Sequence, residues 1–179
     1  MELRTERLTL REFREDDWPA LHDIESREDV ARYQDFAPRS EGGSRAYVLD
    51  SMQGARQHPR LTYDLAMTLN ETGTLIGRVG LGITDLEIGE AVLWYTLHPA
   101  QWGHGFTTEA AFAIVSAGFR ELGLHRIWAD CDPENVASWR VLEKIGMRRE
   151  GHLIENAFIK GEWVDSLIYA ILNREWPPA

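Results

Sequence analysis

A loop containing two glycines could bind a phosphate group. It runs from Leu97 to Glu109 and places Gly103 and Gly105 just before a stretch with helical periodicity. Glycine lets backbone amides approach a ligand closely, and a helix start presents unpaired N–H groups at the positive end of its dipole. A tight turn that needs glycine only for its backbone conformation is the alternative interpretation. No Gly-Lys-Ser/Thr follows, and Thr108 stands where a dinucleotide fingerprint has its third glycine, so both of those phosphate loops are excluded.

Asn135 and Ser138 form a second polar group, 30 residues after Gly105. They are three residues apart at the start of another predicted helix, so both side chains project from one face of its first turns. Their ordinary roles there are a helix cap for the asparagine and a solvated hydroxyl for the serine. Taken together with the glycine loop, the pair favours a ligand site.

The elements that must position these residues alternate as strand, two helices, three strands, helix, strand, helix and two strands. The strands show alternating polarity, whereas the helices repeat their apolar positions every three or four residues. Hairpin turns imply antiparallel pairs, and two strand–helix–strand connections could add parallel ones. The predicted fold class is α/β (α+β), a mixed, mostly antiparallel central sheet of about seven strands flanked by about four helices. The predicted strands cover residues 8–13, 63–69, 75–83, 90–97, 126–130, 148–159 and 163–172, and the predicted helices follow Asp17, Gly43, Gly105 and Asp132.

The composition is that of one globular domain, with 179 residues of which 44% are hydrophobic and 27% charged. No apolar run approaches the roughly 20 residues needed to cross a bilayer. The N-terminal residues lack the apolar segment of a secretory signal. The single cysteine, Cys131, can form no internal disulfide and has no zinc-ligand spacing. A cytoplasmic protein without a metal is therefore expected.

The formal net charge of −10 bears on the partner. A negative field repels phosphate backbones, which argues against DNA or RNA as the main ligand. It favours a cationic partner instead. Without a spanning segment, no membrane partner is expected either.

Motifs spread over nearly the whole chain resemble the GNAT superfamily of acetyl-CoA-dependent N-acetyltransferases. Within it they are most similar to the branch that acetylates the N-terminal alanine or serine of ribosomal proteins. The resemblance implies a single GNAT domain over residues 1–179 and acetyl-CoA as cosubstrate. It also implies a homodimer as one form of assembly. The motifs are Thr5-Glu6-Arg7-Leu8-x-Leu10-Arg11, Ile76-Gly77-x-x-Gly80, Trp102-Gly103-His104-Gly105-Phe106-Thr107-Thr108-Glu109-Ala110, Asn135-x-x-Ser138-x-x-Val141-Leu142-Glu143-Lys144-x-Gly146 and Gly161-Glu162-Trp163-x-Asp165-x-x-x-Tyr169.

The resemblance assigns most of these polar residues to acetyl-CoA. The backbone at the end of the strand pairs with the pantetheine arm, the loop amides hold the pyrophosphate, and Asn135 bonds a pantetheine amide. Ser138 protonates or solvates the leaving thiolate, because Leu142 stands where many GNAT enzymes carry a tyrosine for that purpose. His104 could add positive charge to the loop or be an exposed histidine without a role. The residues implied in cofactor binding are Leu97, His98, Trp102, Gly103, His104, Gly105, Phe106, Thr107, Thr108, Asn135 and Ser138.

The motifs identify the catalytic base and the acceptor amine less directly than they identify the cofactor-binding residues. The acidic position of this branch falls on Val92, and Glu90 lies two residues earlier on the same face, so Glu90 is the candidate base, with a solvated turn carboxylate as the alternative. An α-amino group with a pKa of about 7.7–8.0 is partly neutral at pH 7, whereas a lysine amine at about 10.4 is not. A protein or peptide α-amine is therefore the expected acceptor. The alternatives are a small amine, such as a polyamine, amino sugar or antibiotic, and a non-catalytic acyl-CoA-binding module.

Overall fold

The computed structural model describes residues 1–177, which form one eight-stranded sheet with helices on both faces. The strands lie in the order β1-β2-β3-β4-β5-β6-β8-β7. Within the described part of the chain, no helix is long and apolar enough to span a membrane. The strands are β1 (Glu2–Arg4), β2 (Leu8–Glu12), β3 (Thr62–Leu69), β4 (Leu75–Asp85), β5 (Glu90–Leu97), β6 (Arg126–Cys131), β7 (Arg148–Ile159) and β8 (Glu162–Leu172). The helices are α1 (Trp18–Glu25), α2 (Glu28–Ala31), α3 (Glu41–Gly54), α4 (Phe106–Arg120) and α5 (Val136–Lys144).

The sheet opens in its middle, between β5 and β6. These two strands run parallel and pair over three positions only, Glu90–Val92 against Arg126–Trp128. Beyond these positions β5 stays paired with β4 as far as Leu97, and β6 stays paired with β8 as far as Cys131. Each strand thus keeps its outer partner and loses its inner one. The two inner edges bound a gap in the sheet.

Two hydrophobic clusters hold the helices on opposite faces of the sheet. The larger one packs α4 against the strands through its apolar stripe, which includes Ile114, Val115 and Phe119, all buried. Leu142 brings α5 into the same cluster. The smaller cluster joins α1, α2 and α3 to the other face and contains Phe13, Leu21, Ile24, Val30, Val48, Ala66 and Leu75. The sheet therefore separates an α4/α5 side from an α1–α3 side.

The predicted fold class is confirmed, with two short elements added. β1 has three residues and pairs with β2 from Glu2 opposite Arg11, and α2 has four residues. Segments this short carry too few residues for a periodicity to be recognised. Asp17 directly precedes α1, where an aspartate often caps a helix, but its carboxylate accepts hydrogen bonds from Arg11 at 2.7 and 2.8 Å and from the backbone N–H of Arg14. The helix follows a 3-10 turn without a side-chain cap.

Candidate active site

The gap between β5 and β6 opens into a cavity of about 1190 Å³. On the α4/α5 side the cavity is lined by the glycine loop and by the first turns of α5. On the α1–α3 side it is lined by the segment after α2 and by the hairpin that joins β7 to β8. Lys160, at that hairpin's turn, donates hydrogen bonds to the carbonyl oxygens of Ala31 and Arg32 at 2.7 and 3.1 Å. The hairpin is thereby fixed over the cavity.

The glycine loop offers unpaired amides to this cavity. Gly103 and Gly105 have φ values of +79° and +80°, in the left-handed region that favours glycine. The first backbone bond of α4 runs from the N–H of Glu109 to the carbonyl oxygen of Gly105, at 3.1 Å. The N–H groups before Glu109 have no intrahelical acceptor. A Cβ added to Gly103 would have no atom of the protein within 4 Å. The loop therefore frames open space beside free amides, which suits an anion such as a pyrophosphate.

The connection between β1 and β2 braces this loop from outside. Glu109 accepts hydrogen bonds from the hydroxyl of Thr5 at 2.6 Å and from the backbone N–H and Nε of Arg7 at 2.9 and 2.7 Å. Arg7 also donates from Nη1 to the carbonyl oxygen of His104 at 2.9 Å. Although burial acts to raise the pKa of Glu109, these bonds together hold it below its ordinary value. The loop conformation is thus tied to the N-terminal strands by a charged contact.

Ser138 lies at the centre of a small hydrogen-bonded group at the start of α5. Its backbone N–H donates to Oδ1 of Asn135, the helix cap, at 3.2 Å. Its hydroxyl lies 3.0 Å from the hydroxyl of Tyr95, which is also 3.0 Å from the carbonyl oxygen of Ser138. Burial raises the pKa of Tyr95 well above its ordinary value, so that hydroxyl stays protonated. The group can therefore donate a proton into the cavity through Ser138.

Cys131, at the end of β6, adjoins the same group. Burial, with the negative charges of Asp130 and Asp132, raises the pKa of its thiol to about 12, and a hydrogen bond with Ser138 acts in the opposite direction. The residue remains a thiol at neutral pH. It is a weak partner of Ser138 and no nucleophile.

Most residues predicted to bind the cofactor line the cavity, and two do not. His98 points away, with Nδ1 accepting from the backbone N–H of Ala100 at 3.0 Å and Nε2 3.2 Å from a carboxylate oxygen of Asp23. The ring of His104 stacks on that of Phe106, with centroids 6.0 Å apart. The predicted residues that line the cavity are Leu97, Trp102, Gly103, Gly105, Phe106, Thr107, Thr108, Asn135 and Ser138.

Glu90, the candidate base, is not brought near Ser138. It is the first residue of β5 and pairs with Arg126 at the closed end of the gap. Its carboxylate accepts from Nε of Arg126 at 3.0 Å and from the hydroxyl of Thr84 at 3.1 Å. The residue lies outside the cavity lining, because the strands diverge only after Val92.

A buried polar network on the α1–α3 side was not anticipated from the sequence. Glu25 is fully buried and accepts from Nε of Arg78 at 2.6 Å and from Nε of Arg39 at 2.5 Å. Asp64 accepts from the hydroxyl of Tyr47 at 2.7 Å and from Nε1 of Trp94 at 3.2 Å. Removing one member of such a paired, buried set is costly, about 3–5 kcal/mol. The network fixes this wall of the cavity.

Tyr95 was also missed. Its alternation with Leu93 and Leu97 along β5 would have placed it on the α4/α5 side, but no spacing linked it to Ser138. Gly80 was noticed only as part of a motif. A Cβ there would lie 2.3 Å from the ring of Trp94, so glycine at this position allows the indole to lie against β4.

Comparisons with known proteins agree with this geometry. The family model described as an acetyltransferase (GNAT) domain matches residues 7–148. The uncharacterized N-acetyltransferase YnaD of Bacillus subtilis is 37% identical over 182 residues, covering 98% of this chain and 99% of the relative. The ribosomal protein uS5-alanine N-acetyltransferase of Escherichia coli is 30% identical over 86 residues, covering 48% of this chain and 44% of the relative.

A solved structure shares the same architecture. The crystal structure of a GNAT-family acetyltransferase from Bacillus anthracis superimposes with a TM-score of 0.88 at 33% identity and covers 98% of this chain and 100% of that one. The free amides of the glycine loop, the open space at Gly103 and the gap in the sheet fit the pyrophosphate and extended arm of acetyl-CoA. The chain is a member of the GNAT family, an N-acetyltransferase that takes its acetyl group from acetyl-CoA.

Proposed function

We propose that this N-acetyltransferase acetylates the α-amino group of a peptide or protein. The observation that carries the proposal is the charge of the cavity on the α1–α3 side. Several carboxylates line it. Of the cations that line the cavity, Arg39 and Arg78 pair with Glu25, Arg32 lies 3.7 Å from Glu134, and Lys160 donates to backbone carbonyls, whereas Arg140 and Lys144 belong to α5 on the other side. The lining carboxylates are Asp29, Asp35, Asp130, Asp132, Glu134, Glu162 and Asp165.

An α-amine suits such a cavity for two reasons. It arrives largely protonated, so carboxylates attract it. With a pKa of about 7.7–8.0 it loses that proton far more readily than a lysine amine does. The similarity to a relative named as the ribosomal protein uS5-alanine N-acetyltransferase supports a protein acceptor.

Different residues on the α4/α5 side bind different parts of acetyl-CoA. Acetyl-CoA supplies the acetyl group as a thioester. The amides of residues 103–108 hold the pyrophosphate. The inner edge of β5 beyond Val92 pairs with the pantetheine amides, whereas the carbonyl oxygen of Leu97 accepts from Nε1 of Trp102 at 2.9 Å. Oδ1 of Asn135 is engaged by the backbone of Ser138, so its amide nitrogen is the group left to bond a pantetheine carbonyl.

Ser138 completes the reaction by donating its proton to the thiolate. Its place in the first turns of α5 puts the hydroxyl at the positive end of the helix dipole, which favours negative charge on the sulfur. Tyr95, held protonated by burial, orients the hydroxyl of Ser138 across their 3.0 Å contact. Leu142 is buried in the core and takes no part.

An acceptor screen tests the proposal. The enzyme is incubated with acetyl-CoA and three acceptors: peptides with a free basic N-terminus, the same peptides with a blocked N-terminus and an intact lysine, and small polyamines. Mass spectrometry should show one acetyl group on the free α-amine and none on the blocked peptide. Acetylation confined to the polyamines would overturn the proposal in favour of a small-amine acceptor.

A further inference from the structure

We propose that Asp130, which lines the cavity together with Asp35, binds the ammonium group of the acceptor and takes its proton. This deepens the proposed function by assigning the base on the acceptor side of the same site. The sequence pointed to Glu90 for this role, and that carboxylate is held at the closed end of the gap by Arg126.

The strand β6 determines where Asp130 points. Ile127, Ala129 and Cys131 belong to the core cluster on the α4/α5 side. Because side chains alternate along a strand, Asp130 projects to the α1–α3 side, where it lines the cavity. It is two residues beyond Trp128, the last residue of β6 that pairs with β5. The carboxylate therefore stands at the edge of the gap, on the face opposite Ser138.

Asp35 approaches from a different part of the fold. It lies between α2 and α3 and lines the same cavity. Among the described residues, neither Asp35 nor Asp130 has an ion pair or a side-chain hydrogen bond. Two neighbouring carboxylates in the cavity have a cationic or imidazole partner: Glu134 is 3.7 Å from Arg32, and Asp165 is 2.7 Å from His152. Both carboxylates therefore line the cavity without a cation, and they are close enough for the charge of Asp35 to act on Asp130.

The surroundings favour a proton on Asp130. Asp130 keeps part of its surface exposed, but partial burial still raises its pKa above the ordinary value. A hydrogen bond from its own backbone N–H acts in the opposite direction, and the negative charge of Asp35 raises the pKa further. The other charged groups that line this part of the cavity are Asp132 and Glu134 after β6, Arg32 from the α2 segment, and Lys160 and Glu162 from the β7–β8 hairpin. A carboxylate whose pKa lies nearer to neutrality is a better general base.

Ser166 supplies an independent observation at the same place. It lies on β8 two positions from Ile168, the partner of Asp130, and so on the same face of the sheet. It is 5% exposed and lines the cavity, and no hydrogen bond is formed by its hydroxyl within residues 1–177. Within residues 1–177, every polar side-chain atom that is fully enclosed has a hydrogen-bond partner. The unpartnered hydroxyl of Ser166 is therefore not fully enclosed and reaches the cavity. If Asp130 and Asp35 each accept one N–H of the ammonium group, the hydroxyl oxygen of Ser166 can accept the third.

The proton and electron balance is complete with these groups. Asp130 removes one proton from the ammonium and passes it to water. The nitrogen lone pair then forms the N–C bond, and the C–S bond breaks with its electron pair on sulfur. The sulfur receives a proton from Ser138. The nitrogen loses its second proton to Asp130, which again passes it to water, and Ser138 regains a proton from water in the cavity.

Variants of both carboxylates test the assignment on the most rapidly acetylated amine of the screen. Asp130→Asn should lower kcat/KM for the amine by about 100-fold or more, the usual effect of losing a general base, with the KM for acetyl-CoA unchanged. Asp35→Asn should move the acid limb of the kcat/KM profile to lower pH, because the charge that raises the pKa of Asp130 is gone. Asp50→Asn, an exposed carboxylate on α3, is the matched control and should leave both unchanged.

The outcomes separate this inference from the proposed function. If the wild-type enzyme acetylates only small amines, the α-amine proposal fails while Asp130 is still tested on those amines. If Asp130→Asn keeps the wild-type kcat/KM, or the acid limb does not move in Asp35→Asn, the assignment is overturned. A ¹³C titration of the aspartate carboxyls, with Asp130→Asn for identification, needs no acceptor. It should show a raised pKa that falls in Asp35→Asn, and an ordinary pKa would likewise overturn it.

Discussion

Replacing Ser138 by alanine separates its chemical role from its structural one. The helix cap uses the backbone N–H of Ser138, which alanine retains, so the bond to Asn135 survives. The hydroxyl of Tyr95 keeps its bond to the carbonyl oxygen of residue 138 at 3.0 Å. The variant therefore loses the hydroxyl contacts with Tyr95 and with the weakly bonding thiol of Cys131, while the hydroxyl of Tyr95 keeps a partner.

The expected loss of stability is correspondingly small. One hydrogen bond contributes about 0.5–1.5 kcal/mol. In a domain of this size about 1 kcal/mol corresponds to roughly 2–4 °C in Tm. The loss of the proton donor to the thiolate should instead lower kcat by about 10- to 1000-fold, as for the loss of one acid or one charge-stabilising donor. The KM for acetyl-CoA should change little, because the glycine loop is intact.

The assay is thiol release from acetyl-CoA with a saturating amine, measured beside a thermal melt of each variant. Ser116→Ala is the matched control: its hydroxyl accepts a hydrogen bond from Trp176 at 3.1 Å and lies outside the cavity. It should shift Tm slightly and leave kcat unchanged. If Ser138→Ala behaves like this control, Ser138 is structural, and the proton reaches the sulfur from water or another group.

The remaining predictions concern the loop, the acceptor, acid stability and the cysteine. Gly103→Val should abolish most of the acetyl-CoA affinity measured by calorimetry, because the valine side chain fills the space for the phosphates. Gly73 has a similar φ of +70° and equally open surroundings, so Gly73→Val is the control and should keep the affinity. Equal effects of the two substitutions would refute the loop assignment. The KM for the amine should rise as the Debye length falls from about 10 Å at 0.1 M salt to about 3 Å at 1 M, and a flat KM would argue against a cationic acceptor. The lowered pKa of Glu109 stabilises the folded protein at pH values above 4.5, the ordinary pKa, and this stabilisation is lost as the pH falls below that value. The free energy of unfolding between pH 7 and 3 should therefore depend less on pH in Glu109→Gln. Equal slopes in the two proteins would contradict this. With a pKa of about 12, Cys131 should react with a thiol reagent at pH 8 only after unfolding, and rapid labelling of the folded protein would contradict that value.

The sequence predicted those parts of the structure whose pattern lies within a single continuous segment. Alternation along single strands predicted most of the sheet, and the spacing of Gly103 and Gly105 before an amphipathic stretch predicted the loop at the start of α4. β1 was missed because three residues carry no period. These predictions depend on local backbone preferences, which neighbouring residues largely determine.

The acceptor side could not be predicted in this way. Asp130 and Asp35 line one cavity only because β6 separates from β5 after Trp128 and because the segment after α2 also borders the gap. The contact between Tyr95 and Ser138 likewise joins a strand to a helix 43 residues later. Such meetings depend on tertiary packing. Glu90 was favoured by closeness in sequence to Val92, yet the pairing of Glu90 with Arg126 places it at the closed end.

The gap between β5 and β6 also bears on how the protein avoids unwanted association. Unpaired strand edges are templates that recruit other chains, and proteins usually keep them short, charged or covered. Here two such edges lie inside the molecule, where the neighbouring walls are the glycine loop, α5 and the β7–β8 hairpin. A second polypeptide strand could pair with these edges only if its side chains also fitted into the gap. The pantetheine arm of acetyl-CoA carries amides but no side chains, so it fits. The same backbone groups that would be a liability at the rim of the sheet thus become selective for a slender ligand.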